Sequence, residues 1–501
     1  MSVPAGVQLG VTRDETFEAD VCIVGSGAGG GVVAKELAEK GISVLVLEEG
    51  SWFDKDSYGR WTPSESFRHM YRDAGTTMTT GGPFSPMVAL PLGKAVGGST
   101  VVNGGVCFRT PPDVLDEWTR VGVPFVRDEI DRAFERVEET IQVRPTREAL
   151  LGGSAKAFRR GAEKLGMATE PMRRNTPTCE GCCRCIFGCP EDHKKAIHLT
   201  YLPRALAAGA RVLAETRATE LLLDGKAVRG VVGISGDSRV TVNARAVVLA
   251  LGAVHTPLFL ARHGLGGASG ALGKNLAIHP SCRVLAEFEE PIDGHKGAFQ
   301  PLFSLALDEI GIKLNGIFLP PGLMGSQLPY VGKRARAALT RYRHMGAFGV
   351  MVSDESVGRV IDAPWGTHIH YSLDPRDKEL LVRGVIQAAR VWFAAGAKRV
   401  FPAFRGFPAI ERESDLARID PRRVRATDLE LGAFHPMGTC RMSPDPRRGV
   451  VRPDFRHHDV EALHVVDASW FPTSLRVNPQ VTIMAFATLA AREIARSLQR
   501  E

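Results

Sequence analysis

The first fifty residues of the chain alternate between wholly apolar and amphipathic stretches. The run Val21-Cys22-Ile23-Val24 has no polar break, and residues 43–47 repeat the pattern. Short uninterrupted apolar runs read as strands buried on both faces, and between them Ala34, Leu37 and Ala38 mark one face of a helix. Residues 20–50 are therefore predicted to form strand, turn, helix, strand. The next stretch, 52–91, is rich in Gly, Ser, Thr and Met without periodicity and is expected to be loops around a ligand or its entrance. Farther on, 202–208 reads as a short helix, 211–215 as a strand, and 220–223 with 228–233 as a hairpin. An apolar strand at 246–251 ends at Gly252 and enters a helix through Pro257.

From 281 to about 405 the pattern changes character. Alternation at 282–288, 347–353 and 368–372 predicts an antiparallel sheet, with a strong helix at 375–395 packed beside it. The chain then returns to strand at 462–466 and closes with a helix at 482–499. At 501 residues the chain exceeds one simple core. The expected fold is α/β: a discontinuous Rossmann-like nucleotide domain formed by 1–280 and 431–501, with an α+β substrate domain built on an antiparallel sheet at 281–430.

The turn after the first strand, Gly25-Ser26-Gly27-Ala28-Gly29-Gly30, carries the pattern G-x-G-x-x-G. Between a buried strand and a helix, this pattern lets backbone approach a pyrophosphate, which rests on the helix N-terminus. Gly25 permits the tight turn, Gly27 the close approach and Gly30 the helix–strand packing. Glu48 lies 21 residues after Gly27, where a carboxylate accepts hydrogen bonds from a ribose and disfavours a 2′-phosphate. The motif prefers FAD or NAD over NADP and does not decide between the first two.

The formal net charge of +7 is spread along the chain, so a nucleic-acid partner is not indicated. The densest basic stretch, Lys333-Arg334-Ala335-Arg336 with Arg341 and Arg343, reads first as a solvated helix face, with a docking patch for acidic lipid or protein as the alternative; peripheral membrane contact stays open. The apolar stretches 246–261 and 481–491 are too short or too polar to cross a bilayer. No basic-then-apolar leader opens the chain, and a cytoplasmic location is expected.

Several further segments bear on the choice of cofactor. Gly93-Lys94-Ala95-Val96-Gly97-Gly98-Ser99-Thr100 runs into Val101-Val102-Asn103-Gly104-Gly105. Beyond it stand Ala250-Leu251-Gly252-Ala253, Gly273-Lys274-Asn275-Leu276, His435-Pro436-Met437-Gly438, Val465-Val466-Asp467-Ala468-Ser469 and Asn478-Pro479. Together these resemble the glucose–methanol–choline (GMC) family of FAD oxidoreductases over nearly the whole chain, most weakly from about 285 to 430. Phe108-Arg109-Thr110-Pro111, a cysteine cluster and His435-Pro436-Met437-Gly438 look most like the long-chain alcohol oxidase and cholesterol oxidase branches. The resemblance implies that Gly25, Gly27, Gly30 and Glu48 hold the ADP half of FAD. It places Gly97, Gly98 and Asn103 along the flavin ring and ribityl chain, Asp467 and Ala468 near the pyrophosphate and ribityl, and Asn478 and Pro479 beside the isoalloxazine. Lys94 replaces the family's usual arginine. No His or Cys lies between Ser99 and Asn103, so the FAD is expected to be non-covalent.

His435 matches the family's active-site histidine, and Asn478 the second position, where other branches carry another histidine. Oxidising an alcohol requires removal of its hydroxyl proton while a hydride leaves carbon, and histidine suits the first task. His435 is thus the expected general base. Asn478, uncharged, is expected to donate its N–H to the developing alkoxide. His279 is expected to be structural, and His368 and His370 to be packing residues on one strand face.

Five of the nine cysteines fall between 179 and 189. Cys179-x-x-Cys182-x-x-Cys185-x-x-x-Cys189-Pro190 matches the bacterial ferredoxin run, with Cys183 extra. Three readings stand side by side: an iron–sulfur centre of three irons, or of four using Cys183; a zinc site aided by His193 or His198; and a structural loop without cofactor. A cluster would carry electrons to a quinone or cytochrome, making a dehydrogenase; without one, O₂ is the expected acceptor. The segment Ile317-Phe318-Leu319-Pro320-Pro321-Gly322-Leu323-Met324 reads as an apolar lid or a proline-bounded core loop. With the family branch it points to a fatty, sterol or aromatic alcohol. The alternatives are an FAD and iron–sulfur dehydrogenase of a sugar or other polyol, and an NAD-dependent dehydrogenase.

Overall fold

A computed structural model describes residues 3–499 apart from 356, 406 and 408. Among these residues two eight-stranded sheets dominate, accompanied by one of three strands and one of two. The first sheet contains β1 (Val7–Leu9), β2 (Glu15–Val24), β3 (Val44–Leu47), β4 (Arg211–Ala214), β5 (Arg217–Asp224), β6 (Ala227–Ser235), β7 (Ser238–Leu249) and β8 (Leu463–Val465). Its order is β1-β4-β3-β2-β7-β6-β5. β1, β4, β3, β2 and β7 run parallel; β6 pairs antiparallel with β7 and, with β5, forms the hairpin expected near 220–233. β8 also pairs with β7 in parallel, aligning Val247 with Leu463 and Leu249 with Val465 beyond the reach of the hairpin.

The inner ends of the central parallel strands are apolar because both faces are covered there. Val21, Cys22, Ile23 and all of β3 are buried. Helix α1 (Gly30–Ala38) lies over one face, and the final helix α3 (Gln480–Leu498) packs beside it. The glycine turn is thus set at the carboxyl ends of the parallel strands, where open α/β sheets bind ligands.

The second sheet runs Val88–Ala89, Leu431–Gly432, Ser281–Glu287, Met345–Val352, Ile312–Gly316, Leu302–Ser304, Glu170–Pro171, with Arg399–Phe401 also on Ser281–Glu287. Its pairs are antiparallel apart from the first. Helix α2 (Pro375–Ala394) starts at an Asp374 N-cap with Pro375 in its first turn, and buries Leu381, Val385, Ala388 and Trp392. There Phe158 stacks on Phe348 with ring centroids 3.5 Å apart.

Three details depart from the sequence pattern. The strand expected at 368–372 is Gly366–His370, and it pairs with Gly358–Ala363 in the separate three-stranded sheet. Two short strands from within the first 280 residues, Val88–Ala89 and Glu170–Pro171, join the second sheet. The stretch 52–91 is not all loop: Pro63–Met70 is a helix, because Thr62 and Glu65 form a capping box around Pro63.

A Cβ built at Gly29 would overlap the Val466 carbonyl oxygen, so the start of α1 rests directly on the end of β8. Gly29→Ala must push these segments apart. We expect a loss of about 1–3 kcal/mol, the usual cost of overpacking, measured as a lower urea midpoint with unchanged m-value. A midpoint equal to that of the parent would contradict the contact.

Candidate active site

The cradle is built from two glycine-rich turns held face to face. A Cβ at Gly98 would sit 2.9 Å from Gly27 Cα, so the two backbones meet without a side chain between them. Gly98 has φ +55°, in the region that favours glycine. Ser26, between the two fingerprint glycines, ties the turns together: its hydroxyl donates to Glu48 Oε2 at 2.7 Å and accepts from Gly97 N–H at 2.9 Å. Gly97 itself lies one layer behind the cavity wall, against Val101 and His198. Gly30 likewise packs against Gly25 and Ile23 rather than lining the cavity.

Glu48 is buried, and the N–H groups of Ser26 and Gly50 donate to it at 3.0 and 2.8 Å. Burial pushes its carboxyl upward, against the lowering effect of these donors. Asp467 is held in the same manner, accepting from Gly252 N–H at 2.9 Å, Thr256 Oγ1 at 2.5 Å and Ser469 N–H at 2.7 Å. It therefore fastens the end of β8 to the helix that follows β7.

His435 is placed by a ladder of backbone contacts. Ala277 and Met437 exchange N–H···O bonds of 3.1 and 3.0 Å, and Gly438, Cys440 and Met442 donate to Ala468, Ser469 and Trp470. Gly438 has φ +87°, and a Cβ there would come within 2.5 Å of the Asn275 carbonyl. The motifs around 275 and 435 are thus one packing unit. Asn478 comes from the other side, two residues before α3, and its Nδ2 lies 2.9 Å from His435 Nε2. Asn103 reaches the same region: its Nδ2 donates to Gln480, and its Oδ1 accepts from Gly105 N–H at 2.9 Å.

Burial pulls His435 down to about 4, so the ring stays neutral at physiological pH. Its other nitrogen, Nδ1, lies 3.2 Å from Nδ1 of His279. His279, expected to be structural, is therefore the orienting partner of His435. Behind it stand Ser474 and Asp354, which carried no sequence signal.

These residues open on a cavity of about 1100 Å³ lined by Gly25, Gly27, Glu48, Gly98, Asn103 and Asp467, and also by Ala468, His435, Asn478 and Pro479. Single drug-sized ligands occupy roughly 300–1,000 Å³, so a dinucleotide and a second small molecule fit together. The side-chain-free Gly27–Gly98 approach and the saturated carboxylates suit FAD. Ile317, Leu319 and Leu323 also line the cavity, so the apolar segment near 320 contributes to its wall. His368 and His370 stack on each other, with ring centroids 6.3 Å apart.

All five clustered cysteines line a second cavity, of about 140 Å³, with His193 and Phe299. Phe299 also lines the first cavity. His198 is elsewhere, buried against Trp52 and Tyr58, which removes it from any metal set. Among the described residues no three His, Cys, Asp or Glu side chains are gathered as ligands of a single ion. Arg174 and Lys194 are buried beside the cysteines. Arg174 Nη2 lies 3.0 Å from Cys185 Sγ and 2.8 Å from the Gly104 carbonyl, and Nη1 has no partner among the described residues. Lys194 Nζ donates to the carbonyls of Val101, Asn103 and Cys185 at 2.7, 2.8 and 2.7 Å. No described helix is long and apolar enough to cross a membrane.

The GMC oxidoreductase family models match residues 67–281 and 343–487, and an FAD binding domain model matches 18–80. The GMC-type oxidoreductase Rv0492c of Mycobacterium tuberculosis is 36% identical over 97% of this chain and 77% of its own length. Long-chain-alcohol oxidase FAO4A of Arabidopsis thaliana is 27% identical over 94% of this chain and 68% of its own. The formate oxidase structure from Aspergillus oryzae superposes with a TM-score of 0.76, at 16% identity, over 98% of this chain and all of that one. The cofactor is FAD, and the alternative of an NAD-dependent dehydrogenase is set aside. With its cradle, cavity and paired sheets, the chain belongs to the GMC oxidoreductase family, whose members are FAD-dependent enzymes acting on CH–OH donors.

Proposed function

We propose that the protein oxidises a hydrophobic alcohol, with His435 accepting the hydroxyl proton and Asn478 donating its amide N–H to the oxygen as charge develops. The observation that carries this reading is the 2.9 Å approach of Asn478 Nδ2 to His435 Nε2 on the cavity wall. A hydroxyl inserted there meets a neutral imidazole nitrogen and an amide donor together. A neutral base retains its lone pair, and a fixed amide dipole needs no reorganisation as the oxygen becomes negative. Bound FAD supplies the acceptor for the hydride leaving the carbinol carbon. The apolar wall of Ile317, Leu319 and Leu323 supports a fatty, sterol or aromatic substrate, as do the relatives named long-chain-alcohol oxidases.

His435→Ala is expected to slow flavin reduction by roughly 10²–10⁴, and Asn478→Ala by up to about 10³, with FAD retained in both. Rapid-mixing absorbance at the flavin band, over alcohols of increasing chain length, gives both the rate and the substrate preference. Reduction at the parent rate in the His435 variant would reject the assignment.

The cysteine chamber favours a second element of this reading, an iron–sulfur centre through which electrons leave for a quinone or cytochrome. Support comes from charge and size. Two buried cations have no carboxylate partner among the described residues, and uncompensated buried charge is costly. An anionic, thiolate-bound group would balance them. The space equals roughly four or five waters at ~30 Å³ each, more than one ion needs. Anaerobically purified protein should contain iron and acid-labile sulfide, both diminished in Cys185→Ser. Finding neither in a preparation that retains FAD would remove the cluster and favour O₂ as the acceptor.

A further inference from the structure

On the second sheet, three residues in register form a row that faces the large cavity. Arg283 pairs with Gly349, and Gly349 with Asn315. Residues directly opposite one another in an antiparallel sheet point to the same face, and all three line the cavity. The middle position carries no side chain, and a Cβ built there would meet nothing closer than 3.4 Å. A slot is therefore left open between a guanidinium and a carboxamide, across strands spaced roughly 5 Å apart. Gln327, the C-cap of the short helix Pro321–Ser326, also lines the cavity and accepts from Arg283 Nη1 at 3.1 Å.

Arg283 is a cation without a counter-ion. It makes no ion pair among the described residues, and its Nε, shut off from solvent, has no hydrogen-bond partner there. The titratable group that acts on it is Cys282, whose buried thiol is pushed up to about 12 and stays neutral. The carboxylates of the cavity wall are engaged elsewhere: Glu48 and Asp467 by backbone N–H groups, Glu49 by Arg72, and Glu430 facing Arg405. A charge left uncompensated in such a place is costly. With Nη1 taken by Gln327, the Nε–Nη2 edge of the guanidinium is left for a ligand. That edge presents two parallel N–H groups, the geometry that fits a carboxylate.

We propose that Arg283, with Asn315 and Gln327, binds a carboxylate carried by the substrate. The alcohol oxidised is then a hydroxy acid, an apolar chain with its carbinol at one end and a carboxylate at the other. This rests on the reading of the site as one for a hydrophobic alcohol and narrows it. The spacing suits such a molecule. Arg283 follows His279 by four residues, so their Cα atoms are at most about 14 Å apart, and His279 adjoins His435. A chain of moderate length therefore reaches from the base to the guanidinium. Ile317, Leu319 and Leu323 offer apolar contact to its methylenes, and the two carboxamides add neutral N–H donors at the charged end. A plain alcohol of the same length would leave the guanidinium unpaired, and sites built to pair a polar group reject analogues that lack it.

The test compares ω-hydroxydecanoate with decanol, of equal chain length but uncharged, as reductants of the FAD-loaded enzyme. In the parent, kcat/KM should favour the hydroxy acid by roughly 10–100-fold. Arg283→Met should bring that ratio close to one, and Arg283→Lys, which keeps the charge but loses the fork, should fall between. Calorimetry on the parent holoenzyme gives a readout that needs neither turnover nor a variant: decanoate should bind, and methyl decanoate about tenfold more weakly. No preference for the hydroxy acid in the parent, or a preference that Arg283→Met leaves intact, would overturn the carboxylate site. Equal binding of decanoate and its methyl ester would do the same. After any of these failures the hydrophobic-alcohol reading still stands if decanol reduces the flavin. Reduction by neither compound would remove both together.

Discussion

The space that a side chain at residue 29 would need is filled by the carbonyl of Val466, and the rest of the molecule is arranged around that approach. It forces the N-terminal helix and the C-terminal strand to share one edge of the parallel sheet. Asp467 follows directly and fastens the same point to Gly252 and Thr256, residues 215 and 211 apart from it in sequence. With this junction fixed, the chain after β8 must run across the mouth of the glycine turn. His435 and Asn478 are then carried to opposite sides of one contact. A small steric fact thereby decides where the chemistry stands.

The polar groups of the site are mostly satisfied by the protein itself. Ser26, Glu48 and Asp467 are fully engaged, so the cradle keeps its form without help from a ligand. Such pre-organisation lowers the ordering cost of binding. His435 belongs to a different regime: burial keeps it neutral, and its partners are other neutral or weakly acidic groups rather than an ion pair. On the far side of the cradle, Arg174 and Lys194 hold the carbonyls of Gly104, Val101 and Asn103. The wall of the large cavity and the cysteine chamber are therefore one rigid piece.

Much of this was legible in the sequence where local pattern and tertiary environment agree. The βαβ unit could be read because strands buried on both faces must be apolar at every position. The hairpin, the long helix at 375 and the closing helix followed from periodicity for similar reasons. His435 and Asn478 were legible only through motif resemblance, since one histidine among fourteen has no local mark. His279 was read as structural because its role arises from a fold-back that sets it beside a residue 156 positions away. Ser474 and Asp354 have no motif at all. The Pro63–Met70 helix was missed although its capping box was present, because the Gly- and Ser-rich surroundings masked it. The strand at 366–370 was assigned to the wrong sheet, since alternation reports a strand but not its neighbours.

The junction between Gly29 and Val466 also bears on when the protein can acquire its prosthetic group. During synthesis the fingerprint glycines emerge first, yet their opposing wall is not made until the ribosome has moved beyond residue 480. Until then a nascent chain has only half a receptacle, and the dinucleotide has no second surface to grip. Flavin uptake must accordingly be a late event in biogenesis. A chain cut short before residue 466 would keep more than nine-tenths of its length, but not the seat of its colour.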